Sequence, residues 1–433
     1  MCSGVFVAAH NRAMLPVFCG ISGSTKATRS ISSLTFRAAS VRRRDYLSNQ
    51  NDLGTALALQ NNRKQICVRF SIAETRSANG INILAMKPEL KKLSEQTIVI
   101  TGPTSGIGLV TARMAAKHGA RLVLAARTAG ALRELTEEIR SNGGEAEYAV
   151  ADVSDRQQVK DIARVAIEKF GGFDTWVNNA AISIYGKFEE VSLEDQRRLF
   201  ETNYWGVVHG SLVAAEHLKE RGGALINVGS ALSDRALPIQ GTYCASKHAV
   251  KGFTDGFRME LEHDAAPISV TLIKPSSIDT PYRQHAKNYL PNEPKNPWPV
   301  YAPEPVAEAI LYAAEHPIRD IFVGGAGRAL SVASFLTPRI TDKAMESTMF
   351  AAQQEDHPSS SPHAGLDQPC GSLLERGGYA GHVSESSLYT RGSLHPFIAG
   401  GLFAVGVGLA YAATRKSRTN GNNGSLVQEH KPL

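Results

Sequence analysis

Short apolar runs alternate with longer mixed stretches between residues 98 and 323 of this 433-residue chain. The runs are three to six residues long and rich in Val, Ile and Leu. That composition is typical of strands buried on both faces of a parallel sheet, and the stretches between them have the length of helices. The alternation predicts one doubly wound α/β domain, with a mainly parallel sheet between two layers of helices. The predicted strands are 98–100, 121–126, 147–151, 175–177, 224–228, 269–273 and 320–323.

A glycine-rich turn follows the first predicted strand. Residues 101–108 read Thr-Gly-Pro-Thr-Ser-Gly-Ile-Gly, and a helix is predicted from Leu109 to His118. Glycines allow a tight turn and a close approach of the backbone to a ligand, and the free amides at a helix start suit a pyrophosphate. The spacing G-x-x-x-G-x-G differs from the commoner fingerprint G-x-G-x-x-G. The turn indicates a dinucleotide site, with a purely structural turn as the alternative.

Tyr243 and Lys247 are four residues apart, which places both side chains on one face of a helix. An ammonium beside a phenol favours the phenolate. Lys247 is therefore predicted to lower the pKa of Tyr243 from about 10 toward the working pH of an acid/base catalyst. Such pairs also occur by chance on amphipathic helices, so the spacing alone leaves both interpretations open.

The turn TGPTSGIG, followed by YCASK at residues 243–247, resembles the short-chain dehydrogenase/reductase family. The resemblance covers about residues 93–325 and implies a Rossmann-like fold. Its further matches fall in family order: Asp152 in Ala-Asp-Val, Asn-Asn-Ala-Ala at residues 178–181, Asn203 after Glu-Thr, and Ser230 thirteen residues before Tyr243.

The resemblance implies a reaction and a role for each catalytic side chain. Reducing a carbonyl with a nicotinamide hydride builds negative charge on oxygen, so one group must supply a proton and another must hold the oxygen. Tyr243 would be the acid and Ser230 the second donor. Lys247 would lower the phenol pKa and bind the nicotinamide ribose, and Asn203 would position an ordered water. Alternatively, Ser230 is a strand-end turn residue and Asn203 a helix-distorting polar residue.

The resemblance also implies a set of cofactor contacts. Ala181 and Ser276 stand where the family has glycine, which adds a Cβ near the expected nicotinamide at each position. Neither departure removes a catalytic group. The implied cofactor-binding residues are Gly102, Thr104, Ser105, Gly106, Ile107, Gly108, Arg127, Asp152, Val153, Asn179, Ala180, Tyr243, Lys247, Pro275, Ile278 and Thr280.

Arg127 follows the second predicted strand, where an NAD enzyme would carry an acidic residue for the ribose hydroxyls. A guanidinium fork suits a 2′-phosphate, so NADP(H) is favoured over NAD(H). A solvated surface arginine is the alternative, and Ser105 rather than a second basic residue precedes Gly106. The five cysteines include no C-x-x-C pair, and no metal site is expected.

The positive charge of the chain is concentrated at its N-terminus. Residues 1–90 hold 12 Lys or Arg against 4 Asp or Glu. Residues 1–85 are also rich in Ser and Thr, which is typical of a transit peptide and predicts a disordered targeting segment, with the chloroplast favoured over the mitochondrion. Arg42–Arg44 could contact nucleic acid, but no interleaved aromatics or binding motif support that partner. Translation could also begin at Met86.

The C-terminal part changes character beyond the predicted domain, 86–345. Residues 346–393 are rich in Ser, Gly, His and Pro and are predicted to be a linker. Residues 396–413 carry no charge and Arg415 follows, so 394–414 is predicted to be a transmembrane helix in contact with lipid of an organelle membrane. A glycine-rich core helix is the alternative, and 415–433 is a polar tail.

Four aromatic residues bear on the substrate. Tyr282, Tyr289, Trp298 and Tyr301 lie in a proline-rich stretch that covers the substrate in the resembled family. They suggest an apolar lid over a small hydrophobic carbonyl or alcohol, with ordinary loop packing as the alternative. A homodimer is expected from the resemblance. The competing functions are an NAD-linked alcohol dehydrogenase and a non-catalytic nucleotide-binding membrane scaffold.

Overall fold

The computed structural model describes residues 88–359 and 365–395. Within these residues the chain forms fourteen strands, of which seven build one central sheet. The strands are β1 (Thr97–Thr101), β2 (Arg121–Ala126), β3 (Ala146–Val150), β4 (Thr175–Asn178), β5 (Ile184–Tyr185), β6 (Gly223–Val228), β7 (Ile268–Pro275), β8 (Ser277–Ile278), β9 (Lys287–Asn288), β10 (Asn292–Pro294), β11 (Val300–Tyr301), β12 (Asp320–Val323), β13 (Gln354–Pro358) and β14 (Val383–Ser384).

Ten α-helices connect and cover these strands in the described part of the chain. Short 3₁₀ turns lie at Leu93–Glu95 and Ala231–Ser233, and a π-helical turn lies at Glu201–Trp205. The helices are α1 (Gly106–Lys117), α2 (Ala129–Ser141), α3 (Arg156–Phe170), α4 (Leu193–Phe200), α5 (Gly206–Arg221), α6 (Gly241–His263), α7 (Glu304–Glu315), α8 (Gly325–Leu336), α9 (Pro338–Ala352) and α10 (Leu388–Leu394).

The central sheet has the order β12-β7-β6-β4-β1-β2-β3, and every neighbouring pair in it is parallel. All seven predicted strands are therefore confirmed, each within two residues of its predicted bounds. The order runs outward in both directions from β1 and β4. This reversal opens a crevice at the carboxyl ends of the strands, where doubly wound sheets bind ligands.

The side chains of β1 alternate between two hydrophobic cores, one on each face of the sheet. Ile98 and Ile100 of β1 pack toward α1, α2 and α7, whereas Val99 between them packs toward α3 and α5. The three side chains are at most 1% exposed, as the period of two along a strand requires. The predicted double layer of helices around the sheet is thus confirmed, and the sheet fixes the positions of the strand ends.

The C-terminal residues differ from the predicted linker, 346–393. The segment 346–359 completes α9 and forms β13, which pairs with β10, and β14 pairs with β11. Helix α10 packs on β12, where Gly324 N donates to Thr390 Oγ1 at 3.1 Å. Residues 365–379, which we name the strap, lie along the crevice. The linker prediction was wrong because this segment is held by individual polar contacts. Such contacts leave no periodic pattern of apolar residues in the sequence.

Two predictions fall on other parts of the chain. The transit-like segment, 1–85, lies outside the described residues, and so does the predicted membrane helix apart from Leu394 and His395. Those two residues end and follow α10. Across 88–359 and 365–395, none of the helices combines the length and the apolar character needed to cross a bilayer.

Candidate active site

The carboxyl ends of the central strands border a cavity of about 460 Å³. In the described part of the chain no group of three or more His, Cys, Asp or Glu side chains could hold a metal ion. Of the predicted site residues, Asn203 lies outside the cavity wall, and the wall includes Gly102, Thr104, Ser105, Gly106, Ile107, Gly108, Arg127, Asp152, Val153, Asn179, Ala180, Ser230, Tyr243, Lys247, Pro275, Ile278 and Thr280.

The glycine turn between β1 and α1 depends on the lack of side chains. Gly102 and Gly106 have φ angles of +67° and +52°, a region that residues with a Cβ rarely adopt. A Cβ on Gly108 would lie 2.1 Å from the carbonyl oxygen of Gly102. Asn179 braces the turn by donating from Nδ2 to the Gly102 carbonyl at 3.0 Å. The turn therefore brings bare backbone to the cavity wall, as a dinucleotide requires.

Tyr243 and Lys247 both lie in the first two turns of α6 and face the cavity. The Lys247 ammonium is 5.8 Å from the centre of the Tyr243 ring and donates to the Val228 carbonyl at the end of β6, at 2.9 Å. Both side chains are buried, at 8% and 2% exposure. Strand β6 thus holds the ammonium in place beside the phenol.

The pKa of Tyr243 differs from the predicted direction. Burial raises it to about 12, and the neighbouring hydroxyls of Tyr282 and Ser230 offset only part of this effect. Burial also lowers the pKa of Lys247 to about 8. A group taken out of water disfavours its charged form, and in this arrangement that cost exceeds the attraction between phenolate and ammonium. Tyr243 consequently keeps its proton at neutral pH.

Ser230 has a structural role as well as a place in the cavity wall. Its Oγ accepts from Leu232 N at 3.0 Å, and Ser233 Oγ accepts from Ser230 N at 3.1 Å. These bonds form a capping box at the 3₁₀ turn after β6. The turn-residue alternative is therefore correct for the local structure, and the same turn holds the hydroxyl near Tyr243.

Asn203 lies within the π-helical turn that joins α4 to α5 and is fully buried. Its side chain accepts from Ile182 N and donates to Ile182 O, both at 2.9 Å, and also donates to Ser246 Oγ at 3.1 Å. These contacts tie the segment after β4 to helix α6. Asn203 thus supports the cavity from behind rather than lining it.

Arg127 lies after β2 as expected, but its guanidinium has partners in the strap. It donates to the carbonyl oxygens of Gly365 and Gln368, the latter at 3.4 Å. The alternative that Arg127 is a solvated surface arginine is therefore incorrect, because its guanidinium is hydrogen-bonded to the strap. Arg127 would have to leave these carbonyls to bind a phosphate.

The strap and several other cavity residues were not identified from the sequence. Pro369, Cys370 and Gly371 of the strap line the cavity, as do Gln240 and His285. None of them belongs to a recognisable motif, because they are brought together by tertiary packing. The polar character of Gln240 directly before the Tyr243 helix was the one signal available.

Comparisons with known proteins agree with this geometry. The profile of the family described as short chain dehydrogenase matches residues 96–290. A Bacillus subtilis protein named uncharacterized oxidoreductase YxnA is 48% identical over 358 residues, which are 81% of this chain and 99% of that protein. A Listeria monocytogenes protein named uncharacterized oxidoreductase Lmo0432 is 32% identical over 189 residues, covering 43% of this chain and 76% of that protein.

A solved structure is also similar. The short chain dehydrogenase/reductase of Burkholderia phymatum in complex with NAD has 25% identity and a TM-score of 0.51, covering 62% of this chain and 100% of that one. Together with the glycine turn, the Tyr243–Lys247 pair and the parallel sheet, these likenesses decide the family. The chain belongs to the short-chain dehydrogenase family and is an oxidoreductase that acts on CH–OH groups with NAD(P).

Proposed function

We propose that this protein is an NADP(H)-dependent oxidoreductase that interconverts a carbonyl and an alcohol on a small hydrophobic molecule, with Tyr243 as the general acid and base. One observation carries the proposal. The hydroxyls of Ser230 and Tyr243 and the ammonium of Lys247 meet in a buried cavity that the glycine turn also borders. A proton donor, an oxygen-holding donor and a dinucleotide cradle are what carbonyl reduction needs.

The side chains divide the work as follows. A bound nicotinamide would supply or accept the hydride. Tyr243 gives its proton to the substrate oxygen, and Ser230 holds that oxygen while negative charge develops on it. Lys247 keeps positive charge beside the phenol below its pKa of about 8. Since the pKa of Tyr243 is raised, the phenol is protonated at neutral pH, which is the form that reduction requires.

The residues at the other end of the cavity fit the dinucleotide. The bare backbone at Gly102, Gly106 and Gly108 leaves room for a pyrophosphate at the start of α1. Arg127 would bind a 2′-phosphate in place of the strap carbonyls. NAD(H) is the second candidate, because the guanidinium is already engaged by the strap. Binding of NADPH and NADH to the wild-type protein, measured by titration calorimetry, decides between them.

Part of the cavity wall is apolar and favours an apolar substrate. It includes Leu237, Trp298, Leu330, Met345 and Met349. Methionine side chains adapt to irregular apolar shapes, so this wall suits a range of hydrophobic carbonyl compounds. Hydrophobic ketones and aldehydes are therefore the compounds to screen, with oxidation of NADPH as the readout.

The screen has a clear expected outcome. At least one hydrophobic carbonyl should be reduced at a rate that rises with enzyme concentration and disappears in the Tyr243→Phe variant. Turnover that survives in Tyr243→Phe would refute the assigned mechanism. NADPH binding without turnover of any compound in the series would instead favour the nucleotide-binding scaffold.

Location and assembly are proposals from the sequence. Leu394, the first residue of the predicted anchor, is buried in the protein core, so the anchor would begin after it. Import through residues 1–85 and anchoring through the rest of 394–414 would put the enzyme on an organelle membrane, and resemblance to the family suggests a homodimer. Carbonate extraction of membranes from cells that express the full chain should leave the protein in the pellet. Release into the supernatant would contradict the anchor. The mass of the detergent-solubilised protein, measured by light scattering, tests the dimer.

A further inference from the structure

A second phenol lies beside Tyr243. The rings of Tyr282 and Tyr243 meet edge to face, with centroids 5.4 Å apart, and both line the cavity. The Tyr282 hydroxyl is 2.7 Å from Ser183 Oγ and 3.2 Å from Gln240 Oε1. The ring contact brings this hydroxyl close to the Tyr243 side chain, and the Tyr282 hydroxyl lowers the pKa of Tyr243 against the effect of burial. One phenolic proton therefore has several acceptors.

Gln240 is held in a fixed orientation by Gln353, and both side chains are buried. Gln353 Nε2 donates to the carbonyl oxygens of Pro238 and Met349, at 3.0 and 2.9 Å. Carbonyl oxygens only accept, so the Gln353 oxygen must face Gln240 Nε2, which it meets at 2.6 Å. The Gln240 oxygen consequently faces Tyr282. The first residue after α9 thus determines what the second phenol contacts.

We propose that Tyr282 is a positioning residue whose hydroxyl donates to the Tyr243 phenolate after Tyr243 has given its proton to the substrate oxygen. No proton leaves Tyr282 in this step. The O–H of Tyr282 turns from Ser183 or Gln240 toward the new negative charge, and it turns back when Tyr243 regains a proton. The role of Tyr282 rests on the proposed function of Tyr243.

Around Tyr243, few other described groups could stabilise its phenolate. On its own helix lie Lys247 and Cys244, and burial raises the pKa of Cys244 to about 11. From other elements come Tyr185 on β5, whose pKa burial raises further, and His285 across the cavity. Neither Cys244 nor Tyr185 carries a charge near neutral pH. Among the described residues, Lys247, Tyr282 and Ser230 are therefore the groups near Tyr243 that can stabilise its phenolate, and Ser230 is the one that also holds the substrate oxygen.

The test is the pH profile of alcohol oxidation in Tyr282→Phe. Oxidation needs the Tyr243 phenolate, so activity rises with pH through the apparent pKa of that group. Because the pKa of Tyr243 is raised to about 12, pH 7 to 10 lies on the rising part of this profile. We expect Tyr282→Phe to oxidise the alcohol roughly tenfold more slowly than the wild type at each pH in this range, with NADPH affinity and melting temperature unchanged. Tyr289→Phe is the matched control, since this phenol contacts Asp195 rather than the cavity.

The role of Tyr282 and the function of Tyr243 are tested by different outcomes. An oxidation rate in Tyr282→Phe equal to that of the wild type between pH 7 and 10, or a loss accompanied by weaker NADPH binding, would overturn the role of Tyr282 and leave the function of Tyr243 intact. Gln353→Leu frees Gln240 to turn its Nε2 toward Tyr282, which removes an acceptor that competes with Tyr243 for the Tyr282 proton. This variant should therefore change the oxidation rate in the opposite direction, by a smaller factor. Activity that survives in Tyr243→Phe would instead remove the proposed function itself.

A second inference concerns the strap, at the dinucleotide end of the cavity. The strap bonds to the groups that the dinucleotide would use. Gly106 N donates to Leu374 O at 2.9 Å, and Leu373 N donates to Thr104 O at 3.0 Å. Arg127 is bonded to the Gly365 carbonyl. An amide has one hydrogen, so Gly106 cannot donate to Leu374 and to a pyrophosphate oxygen at full strength together.

We infer that the strap is an autoinhibitory contact, which the dinucleotide displaces as it binds. Its distal part is anchored by bonds to residues outside the glycine turn. Asp279 Oδ1 accepts from Gly377 N and Tyr379 N, both at 3.1 Å, and Arg376 pairs with Glu304 at 2.8 Å. Leu366 is also held, because it is 1% exposed in the core cluster that contains Tyr243. The part between these anchors, 368–374, can therefore lift while the strap stays attached to the domain.

A reversible lock tests this inference. The Cβ of Thr128 lies 2.8 Å from the Cβ position of Gly371, so a cysteine at each site forms a disulfide after a shift of about 1 Å. Thr128→Cys/Gly371→Cys would be made in a Cys370→Ser background, to remove the neighbouring thiol. We expect NADPH affinity, measured by titration calorimetry, to fall more than tenfold in the oxidised protein and to return on reduction. Equal binding in both forms would overturn the inference.

Loosening the strap should have the opposite effect. Glu375 pairs with Arg113 at 2.8 Å, so Glu375→Gln weakens the closed position without touching the cavity. The closed position of the strap lowers the apparent affinity of the protein for NADPH. The Glu375→Gln variant should therefore bind NADPH roughly two- to fivefold more tightly. Glu346→Gln, which breaks an exposed pair with Lys343, is the control. Weaker NADPH binding by Glu375→Gln would show that the strap assists the dinucleotide instead.

Discussion

At the catalytic end of the cavity, Ser230 and Tyr243 stand on the turn after β6 and on a 23-residue helix, and Lys247 is fixed by the Val228 carbonyl. At the dinucleotide end, Gly106 and Arg127 are bonded to the strap, which comes from far along the chain. The catalytic groups are thus placed in advance, whereas the cofactor-binding groups must exchange partners. Substitutions at the first end should change rates, and those at the second should change binding.

The largest effect is expected from Tyr243→Phe. Loss of the proton donor should lower kcat by about 10³-fold, within the roughly 10²–10⁴-fold range of acid/base catalysis. The ring stays in its edge-to-face contact with Tyr282, so the melting temperature and NADPH affinity should remain near wild type. Stopped-flow turnover and calorimetric binding on the same preparation check both statements. A parallel loss of NADPH binding would contradict the division between the two ends.

Gly108→Ala should disrupt the dinucleotide end. The new Cβ would meet the Gly102 carbonyl at 2.1 Å, so the turn must open, at a cost of about 3 kcal/mol in unfolding free energy and with loss of NADPH binding. Gly252→Ala is the control, because a Cβ at this exposed position in α6 meets nothing within 4 Å. It should stabilise the helix by about 0.5–1 kcal/mol. Urea denaturation measures the unfolding free energy of both variants. An unchanged unfolding free energy in Gly108→Ala would contradict the tight turn.

Arg127→Ala tests cofactor choice. Removing a charge-assisted contact to the 2′-phosphate should weaken NADPH binding about 10- to 50-fold, or about 2 kcal/mol. NADH has no such phosphate, so its affinity should stay the same or rise as the strap loses a partner. Arg133→Ala, on the exposed side of α2, is the control. Equal losses for NADPH and NADH would favour the NAD-linked enzyme.

The sheet and the catalytic pair were predictable because each leaves a local signature. The seven strands are apolar runs of characteristic length, the glycine turn needs bare backbone at fixed positions, and the four-residue spacing of Tyr243 and Lys247 is set by the helix itself. These features hold whatever surrounds them. The structure accordingly differs from their predicted bounds by two residues at most.

The strap and the pKa of Tyr243 were not predictable, for a different reason. The strap is fixed by single bonds such as Leu373 to Thr104 and Glu375 to Arg113, which connect residues far apart and leave no period in the sequence. The pKa direction depends on burial, which local spacing does not report. A phenol beside an ammonium has a lowered pKa only where the attraction between phenolate and ammonium exceeds the cost of taking the phenolate out of water.

The smallest effect should appear at the catalytic end, as a change of stability with pH. The pKa of Lys247 is about 8 in the folded protein and about 10.4 in an unfolded chain. Between these values the unfolded chain binds a proton that the folded protein lacks, so the unfolding free energy rises with pH in this window. Relative to Lys247→Met, the wild type should therefore gain up to about 2 kcal/mol between pH 7 and pH 10. Urea denaturation of both proteins across this range measures the gain. A constant difference would show that the folded structure leaves the Lys247 ammonium hydrated, and the catalytic end would then be less rigidly enclosed than the dinucleotide end.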